Sequence, residues 1–276
     1  MDKTYISDWA HLLLRWGHLV FGAAWIGASF YFNWLNNQLR PPREPERGVG
    51  GELWAVHGGY FYRVLKYQVA PEKLPATLHW FKWEAYLTWL TGIGLLAVVY
   101  YMQADVYMAR PGSGLSAATS VHIGMATIAG GFLAYHFLCK TPLVDRRPLF
   151  AGLGLAAVAG IAYGLNQVMG ARAAYIHVGA LLGTCMALNV FFVIIPNQRK
   201  MVADMIAGRE PDARVGKAGA LRSLHNNYMT LPVLWIMVSN HFPGTFGHAQ
   251  GWAILAAVAV IGGGVRHWFN LHGRGI

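Results

Sequence analysis

The sequence predicts an all-α polytopic membrane helix bundle of about seven transmembrane helices, built as a single domain over residues 1–276. Of its residues, 55% are hydrophobic and only 12% are charged, whereas soluble domains carry about 25% charged residues. Apolar runs of about 20 residues, long enough to cross a bilayer, recur along the whole chain. The charged residues gather between these runs. Together these features predict a multi-pass protein embedded in a lipid bilayer.

Lys and Arg residues are distributed unevenly between the predicted spans, which are 9–35, 79–103, 119–138, 149–169, 173–195, 226–242 and 249–269. The connections 36–78, 139–148 and 196–225 are rich in them, and the connections between those are poor. Since cytoplasmic loops carry an excess of Lys and Arg, the N-terminus is predicted outside and the C-terminus, with Arg266 and Arg274, in the cytoplasm. The same loops account for the net charge of +10. Nucleic acid is therefore excluded as a partner.

The first cytoplasmic connection contains one further predicted element. Glu52 to Val69 has the length and composition of a helix, and it lies between the breaker-rich run PPREPERGVGG and Pro71. Amphipathic helices of this kind lie along the membrane surface. We therefore expect an interfacial helix on the cytoplasmic side.

The first span carries an unusual polar stripe. His11, Arg15 and His18 follow one another at i, i+4 and i+7 and so share one helical face. Ionisable groups at membrane depth usually face the bundle interior or a cavity. Two imidazoles and a guanidinium fit haem b with its propionates. The alternative is that Arg15 and His11 reach the outer interface and that His18 is a packing residue.

Histidines near the outer side supply the candidate haem ligands His18, His177, His241 and His248, with the ligating pair left undecided by spacing. Small residues such as Gly22 and Gly183 would let a flat ring approach. The alternative is that these glycines serve helix packing. No C-x-x-C-H motif occurs in the sequence, so covalently attached haem c is not expected.

A second polar layer is predicted on the cytoplasmic side, where proton carriers, hydrogen-bond donors and aromatic rings gather. Imidazoles near neutral pKa suit proton abstraction, and Arg and Asn side chains suit a planar, amide-rich anion. The alternative is an interfacial belt of aromatic and Lys anchors. The residues of this cytoplasmic polar layer are His57, His79, Trp80, Lys82, Glu84, Arg222, His225, Asn226 and Asn227.

Four long and peculiar runs stand out: ELWAVHGGYFYRVLKYQVAPEKLPATLHWFKWEAYLTW, GARAAYIHVGALLGT, VFFVIIPNQRKMVADMIAGREPD and RSLHNNYMTLPVLWIMVSNHFP. They resemble the membrane domain of bacterial integral-membrane urate oxidases, also called urate hydroxylases, and the resemblance covers essentially the whole chain. It implies oxidation of urate to 5-hydroxyisourate, with electrons passed to cytochrome c, in the bacterial inner membrane. Members of this family typically continue into one more span and a periplasmic cytochrome c domain, whereas this sequence stops at Ile276. We therefore expect either a separate cytochrome c or a cytochrome domain missing from the sequence.

These inferences combine into one mechanistic hypothesis. Urate would dock near Arg222, Asn226 and Asn227, with Lys82 and Trp80 completing the substrate site. His225 or His79 would remove a proton, assisted by Glu84 and His57, while electrons leave through haem b. Two other functions stay open on the residues alone: a haem b electron-relay subunit, and a transporter for urate or haem.

Overall fold

The computed structural model describes residues 3–272, and helices dominate it. In chain order the elements are α1 (Lys3–Gln38), β1 (Val49–His57), β2 (Tyr60–Tyr67), α2 (Trp83–Leu95), a π-helical turn (Leu96–Tyr101), α3 (Ala104–Tyr107), α4 (Ala117–Leu138), a 3-10 turn (Pro142–Asp145), α5 (Arg147–Val168), α6 (Ala171–Asn189), a second π-helical turn (Val190–Ile194), α7 (Ile195–Ile206), α8 (Ala213–Ser239), α9 (Pro243–Phe246) and α10 (Gly251–His272). The all-α prediction is confirmed. Arg274 lies outside the described residues.

Five helical segments among the described residues are long and apolar enough to cross a membrane: Trp83–Tyr101, Ala117–Leu138, Arg147–Val168, Ala171–Ile206 and Gly251–Leu271. Each of them overlaps one predicted span, and Ala171–Ile206 continues beyond the predicted end at residue 195. The two remaining predicted spans lie in α1 and α8, which are long helices but fall outside these five. Both carry the ionisable and amide side chains that the sequence analysis singles out.

The bundle is organised around α6, which continues through the second π-helical turn into α7 as one helical segment. Two-thirds of its most apolar stretch is buried, because α2, α4, α5 and α8 all pack against it. Helices α6 and α8 approach closely at Gly179, where an added Cβ would lie 2.7 Å from the side chain of Ile236. Helix α1 packs chiefly along α2. This arrangement brings polar residues of α4, α6 and α8 together inside the bundle.

The predicted interfacial helix at 52–69 is wrong, because this segment forms an antiparallel hairpin of β1 and β2. Its strands are rich in aromatic and β-branched residues, which favour strands over helices. Between them, Gly58 and Gly59 both have positive φ, of 59° and 81°. A two-residue connection of this kind forms the tight turn that matches the twist of a hairpin. The glycine turn and the strand-forming residues therefore produce a hairpin, although the segment is long enough for a helix.

The hairpin is held by a buried carboxylate. Glu52 on β1 pairs with Arg63 on β2 at 3.3 Å and also accepts a hydrogen bond from the Trp54 indole. The Arg63 hydrogen bond, with help from the indole, lowers the pKa of Glu52 below its ordinary value of 4.5. The backbone of Glu52 also bridges to Arg40, just after α1. This contact fixes the hairpin against the end of the first helix.

Candidate functional site

A buried polar network lies at the end of the bundle that carries the hairpin, hereafter the hairpin end. At its centre is Asn189, the last residue of α6, which is fully buried. Its Nδ2 donates to the Tyr135 hydroxyl and to Asn226 Oδ1, both at 2.9 Å. Its Oδ1 accepts from Arg222 Nη1 at 3.2 Å. One amide therefore joins α4, α6 and α8, and we call the connected group the inner network.

The inner network extends from a guanidinium to an imidazole through a phenol. The Arg222 guanidinium lies over the Tyr135 ring, 4.9 Å from its centroid, and donates to the His136 carbonyl at 3.1 Å. The Tyr135 hydroxyl lies 3.0 Å from His225 Nδ1. The His225 ring stacks on Phe150 with centroids 5.2 Å apart. The cation, the phenol and the imidazole are therefore in contact, as proton handling requires.

The two neighbouring asparagines of α8 face different helices, although the sequence analysis grouped them. Both polar groups of Asn226 are already used, since its Nδ2 donates to the Met186 carbonyl at 3.0 Å. Asn227 instead faces α10, where its Oδ1 accepts from Arg266 Nε at 3.2 Å and from Asn270 Nδ2 at 3.1 Å. The Asn227 Nδ2 is buried without a hydrogen-bond partner among the described residues.

A cleft with cationic and aromatic walls opens at the hairpin end, lined by residues that lie outside the inner network. Its volume is about 590 Å³, and we call it the inner cleft. It is lined by Lys82, Trp83, Tyr86, Phe191, Phe192, Ile195, Pro196 and Arg199. Arg199 also lies over the predicted substrate residue Trp80, 5.7 Å from the ring centroid. Two cations and several ring faces are what a planar organic anion requires.

Three predicted catalytic residues lie apart from the inner network. His79 is exposed and packs edge-on against Phe81, with ring centroids 4.5 Å apart. Glu84 lies in the first turn of α2, and its carboxylate makes no hydrogen bond or ion pair with any described residue. His57 is exposed at the end of β1, opposite Tyr60 across the hairpin turn. The structure does not bring these three side chains together with His225.

Two of the four candidate haem ligands line a separate cavity between α1 and α2 on one side and α6 and α8 on the other. This histidine cavity has a volume of about 180 Å³. Half-buried His18 lines it from α1, and His241, which is exposed, lines it from just beyond α8. Its wider lining is Arg15, Trp25, Thr88, Trp89, Gly92, Ile93, Leu95, Leu96, Val99, Tyr100, Ile176, Ala180, Gly183, Thr184, Met237 and Asn240.

The other two candidate ligands are engaged elsewhere. His177 is fully buried on α6, its Nδ1 donates to the Ala173 carbonyl at 2.7 Å, and its Nε2 lies 3.1 Å from the Tyr101 hydroxyl. His248 is exposed before α10, where its Nδ1 accepts from the Gln250 backbone N–H at 3.0 Å. Neither residue lines the histidine cavity.

Aromatic residues that border the two sites meet at one buried aliphatic cluster. The cluster consists of Ala85, Val190, Ile194 and Ile195. Trp25, which lines the histidine cavity, packs against it, as do Trp80 and Tyr86 from the side of the inner cleft. The two sites are therefore neighbours within the bundle.

Sequence reasoning missed Tyr135, Arg199 and Tyr101, whose roles depend on neighbours distant in sequence. One signal was available for Tyr135, which directly precedes His136 and lies near Cys139 in the run AYHFLC. Arg199 was counted only as a loop charge. The central position of Asn189 depends in the same way on partners from α4 and α8.

Among the described residues, no group of three or more His, Cys, Asp or Glu side chains could hold a metal ion.

Comparison with known proteins assigns the family. Neither curated proteins nor solved structures match the chain. A family model described as urate oxidase N-terminal matches residues 4–276, which is nearly the whole sequence. The chain therefore belongs to the urate oxidase N-terminal family.

Proposed function

We propose that this protein oxidises urate to 5-hydroxyisourate at the hairpin end and passes the electrons across the bundle to a cytochrome c. Family membership supports urate as the substrate class. The observation that carries the proposal is the inner network, which holds a guanidinium, a phenol and an imidazole in contact inside an apolar bundle. Burying such polar and ionisable groups in a membrane bundle costs free energy, and residues of this kind are usually retained there because they serve a function.

The proposed reaction balances with water and one-electron acceptors. Urate and one water molecule give 5-hydroxyisourate, two protons and two electrons. A new C–O bond forms at C5 of the purine, and the two electrons reduce two molecules of a cytochrome c. The protein must therefore bind a planar anion, accept protons and lead electrons away from the substrate.

The inner cleft supports the binding step. Urate is a planar monoanion near neutral pH, and Lys82 and Arg199 place positive charge at the cleft. The rings of Trp83, Tyr86 and Phe191 offer faces for stacking. Arg222 and Asn226, by contrast, are buried and engaged in the inner network. We therefore propose that the residues lining the cleft contact urate directly. Trp80 would help to position Arg199, whose guanidinium lies over its ring.

The inner network supports the proton step. A neutral imidazole is a suitable base at physiological pH, and His225 is held by the Tyr135 hydroxyl and by Phe150. The Arg222 guanidinium adds a positive charge to the same network, over the Tyr135 ring. His79 is the alternative base, because it lies three residues before the cleft residue Lys82. Glu84 would assist His79 from the start of α2.

Electron removal calls for a redox group, and haem b is the group we propose. When bound, haem b would supply one-electron transfer from the substrate to a cytochrome c. Electrons would leave at the end opposite the hairpin, which the distribution of Lys and Arg predicts to be outside the bacterial inner membrane. Trp25, which lines the histidine cavity, and Tyr86, which lines the inner cleft, pack against the same aliphatic cluster.

The test is urate-dependent reduction of cytochrome c by purified protein carrying His225→Ala. We expect activity to fall at least a hundredfold, since general bases contribute about 10²–10⁴, while the absorption spectrum stays unchanged. His122→Ala serves as the matched control, because His122 is an exposed helical histidine outside both sites. Full activity in His225→Ala together with loss in His79→Ala would move the base to His79.

Two further measurements on the same purified protein separate the competing functions. An electron-relay subunit would keep a haem spectrum that urate neither bleaches nor shifts under anaerobic conditions. A transporter would move labelled urate into vesicles without reducing cytochrome c. Either result would refute the proposed oxidation.

A further inference from the structure

A buried guanidinium on α10 has no anionic partner among the described residues. Arg266 is only 7% exposed and makes no ion pair with any described carboxylate. Its Nε donates to Asn227 Oδ1 at 3.2 Å, and its guanidinium lies over the Phe30 ring, 4.5 Å from the centroid. Neither neighbour carries a charge. Because buried charges in proteins are normally paired, this cation requires an anion that the described residues do not supply.

Most of the hydrogen-bond donors of Arg266 are unused. A guanidinium that stacks on an aromatic ring keeps its N–H groups free in its own plane. Nη1 and Nη2 of Arg266 make no hydrogen bond with any described residue. The buried guanidinium of Arg222, by contrast, uses both of these nitrogens, for Asn189 and for the His136 carbonyl. Arg266 therefore presents a fork of free donors.

The neighbouring amide adds one more free donor. Asn227 Oδ1 accepts from Arg266 Nε and from Asn270 Nδ2, at 3.2 and 3.1 Å, and these two donors fix the orientation of the amide. The Asn227 Nδ2 is therefore a donor, and it is buried without a partner among the described residues. Such groups are rare in native structures and call for an acceptor. A guanidinium and an amide N–H₂ side by side suit an oxyanion.

These free donors lie where α1 and α10 meet, which we call the seam. Helix α1 packs chiefly along α2, and α10 packs against α8 and α5, so the contact of Arg266 with Phe30 joins two helices that otherwise pack little against each other. An added Cβ at Gly263, one turn before Arg266, would meet no atom within 4 Å. The same holds for Gly27, one turn before Phe30. Both walls of the seam therefore leave open space beside the backbone.

The surroundings of the seam favour a lipid over a soluble anion. Arg266 lies within one helical turn of the predicted end of the last span, and Asn227 directly follows the predicted start of the sixth span. Both residues are therefore close to the level of the lipid headgroups. The flanking side chains Val265 and Phe269 are exposed and apolar, so acyl chains can cover them. Basic pockets between transmembrane helices on the cytoplasmic side bind anionic phospholipid headgroups.

We propose that Arg266 and Asn227 bind the phosphate of an anionic membrane phospholipid whose acyl chains lie in the seam. Arg266 Nη1 and Nη2 donate to phosphate oxygens, and Asn227 Nδ2 donates to one of the same oxygens. The lipid thereby links α1 to α10, in addition to the packing of α1 along α2. This site is separate from the inner network, because Asn226 faces α6 whereas Asn227 faces α10. It is also separate from the inner cleft, whose lining includes neither Arg266 nor Asn227.

The first test is a titration of the purified full chain in non-ionic detergent with dioctanoyl phosphatidylglycerol, followed by thermal unfolding. Two matched compounds separate the parts of the lipid: dioctanoylglycerol has the acyl chains without the phosphate, and inorganic phosphate has the charge without the chains. We expect phosphatidylglycerol to raise the unfolding temperature saturably, because it binds the folded state, and the other two to leave it unchanged. Equal stabilisation by inorganic phosphate would assign the site to a soluble anion and overturn the lipid proposal. Equal stabilisation by dioctanoylglycerol would show that the phosphate is not recognised.

The second test removes the cation. Arg266→Gln should weaken the binding of phosphatidylglycerol about tenfold or more, because charge-assisted hydrogen bonds to the phosphate are lost. Arg147→Gln is the matched control, since it removes the same charge from an exposed residue at the start of α5. Equal lipid affinity in the two variants would refute the site.

Asn227→Asp keeps the proposal testable if Arg266→Gln does not fold. The carboxylate has the shape of the amide and supplies an internal anion to Arg266. We expect this variant to unfold at or above the temperature of the lipid-free wild type and to gain little from phosphatidylglycerol. A lipid response equal to that of the wild type would contradict the proposal.

A fourth variant fills the seam and leaves both binding residues in place. Gly263→Leu can fold, since an added Cβ there meets no atom within 4 Å, but its side chain would occupy the space of the acyl chains. Gly160→Leu is the control, because Gly160 is exposed on α5 and also has open space around it. Loss of the lipid response in Gly263→Leu alone supports the site, and equal responses in both variants refute it. None of these measurements uses urate, so their outcome is independent of the proposed function.

Discussion

Replacing Asn189 should reveal how much the inner network contributes to stability. Its side chain makes three hydrogen bonds, to Tyr135, Asn226 and Arg222. Hydrogen bonds between membrane helices average about 0.6 kcal/mol each, so their loss alone costs about 2 kcal/mol. If the partners stay buried and unsatisfied, at about 1–3 kcal/mol each, the cost of Asn189→Ala approaches about 6 kcal/mol.

The assay is equilibrium unfolding in mixed detergent micelles followed by circular dichroism. Asn189→Leu preserves side-chain volume, so similar destabilisation by Ala and Leu would assign the cost to hydrogen bonding rather than to a cavity. Asn166→Ala is the control, because the Asn166 side chain makes no hydrogen bond among the described residues. A change below about 0.5 kcal/mol for both Asn189 variants would show that the network contributes nothing to holding the helices together.

Three further predictions concern the cleft, the hairpin and helix packing. Arg199→Gln should raise the KM for urate about tenfold with little change in kcat, as expected for lost uniform binding; an unchanged KM would remove Arg199 from the cleft's function. The pKa of Glu52 is lowered by its pairing with Arg63, so the ionised pair stabilises the hairpin at pH values above 4.5 and is lost as Glu52 takes up a proton at lower pH. Hydrogen exchange of the hairpin amides should therefore speed up as the pH falls below 4.5. Glu52→Gln should abolish this pH dependence. Gly179→Ala should destabilise the bundle by about 1–3 kcal/mol through overpacking against α8, whereas Gly130→Ala, with open space around it, should be neutral or stabilising in the same unfolding assay.

The hairpin shows why local pattern alone misled the prediction for residues 52–69. Its length and composition suited a surface helix, but the adjacent Gly58 and Gly59 adopt positive φ and turn the chain back on itself. The Gly-Gly pair was a readable signal of a tight turn. The pairing of Glu52 with Arg63 across the strands then secures the register.

The polar run at 222–227 shows a different limit. Adjacent residues of a helix point about 100° apart, so Asn226 and Asn227 cannot face the same site. Which of them faces α6 and which faces α10 depends on how α8 is rotated in the bundle. The sequence identified the polar residues, and packing distributed them between two neighbours.

By itself, the sequence determined the class of protein, because low charge and repeated apolar runs leave a membrane helix bundle as the stable outcome. It also located the polar residues that such a bundle buries only at a cost. Only the tertiary structure decided which histidines share a cavity and which are engaged, since His18 and His177 look alike in sequence. The physical reason is that the partners of each ring nitrogen, Thr88 for His18 and Tyr101 for His177, come from helices distant along the chain.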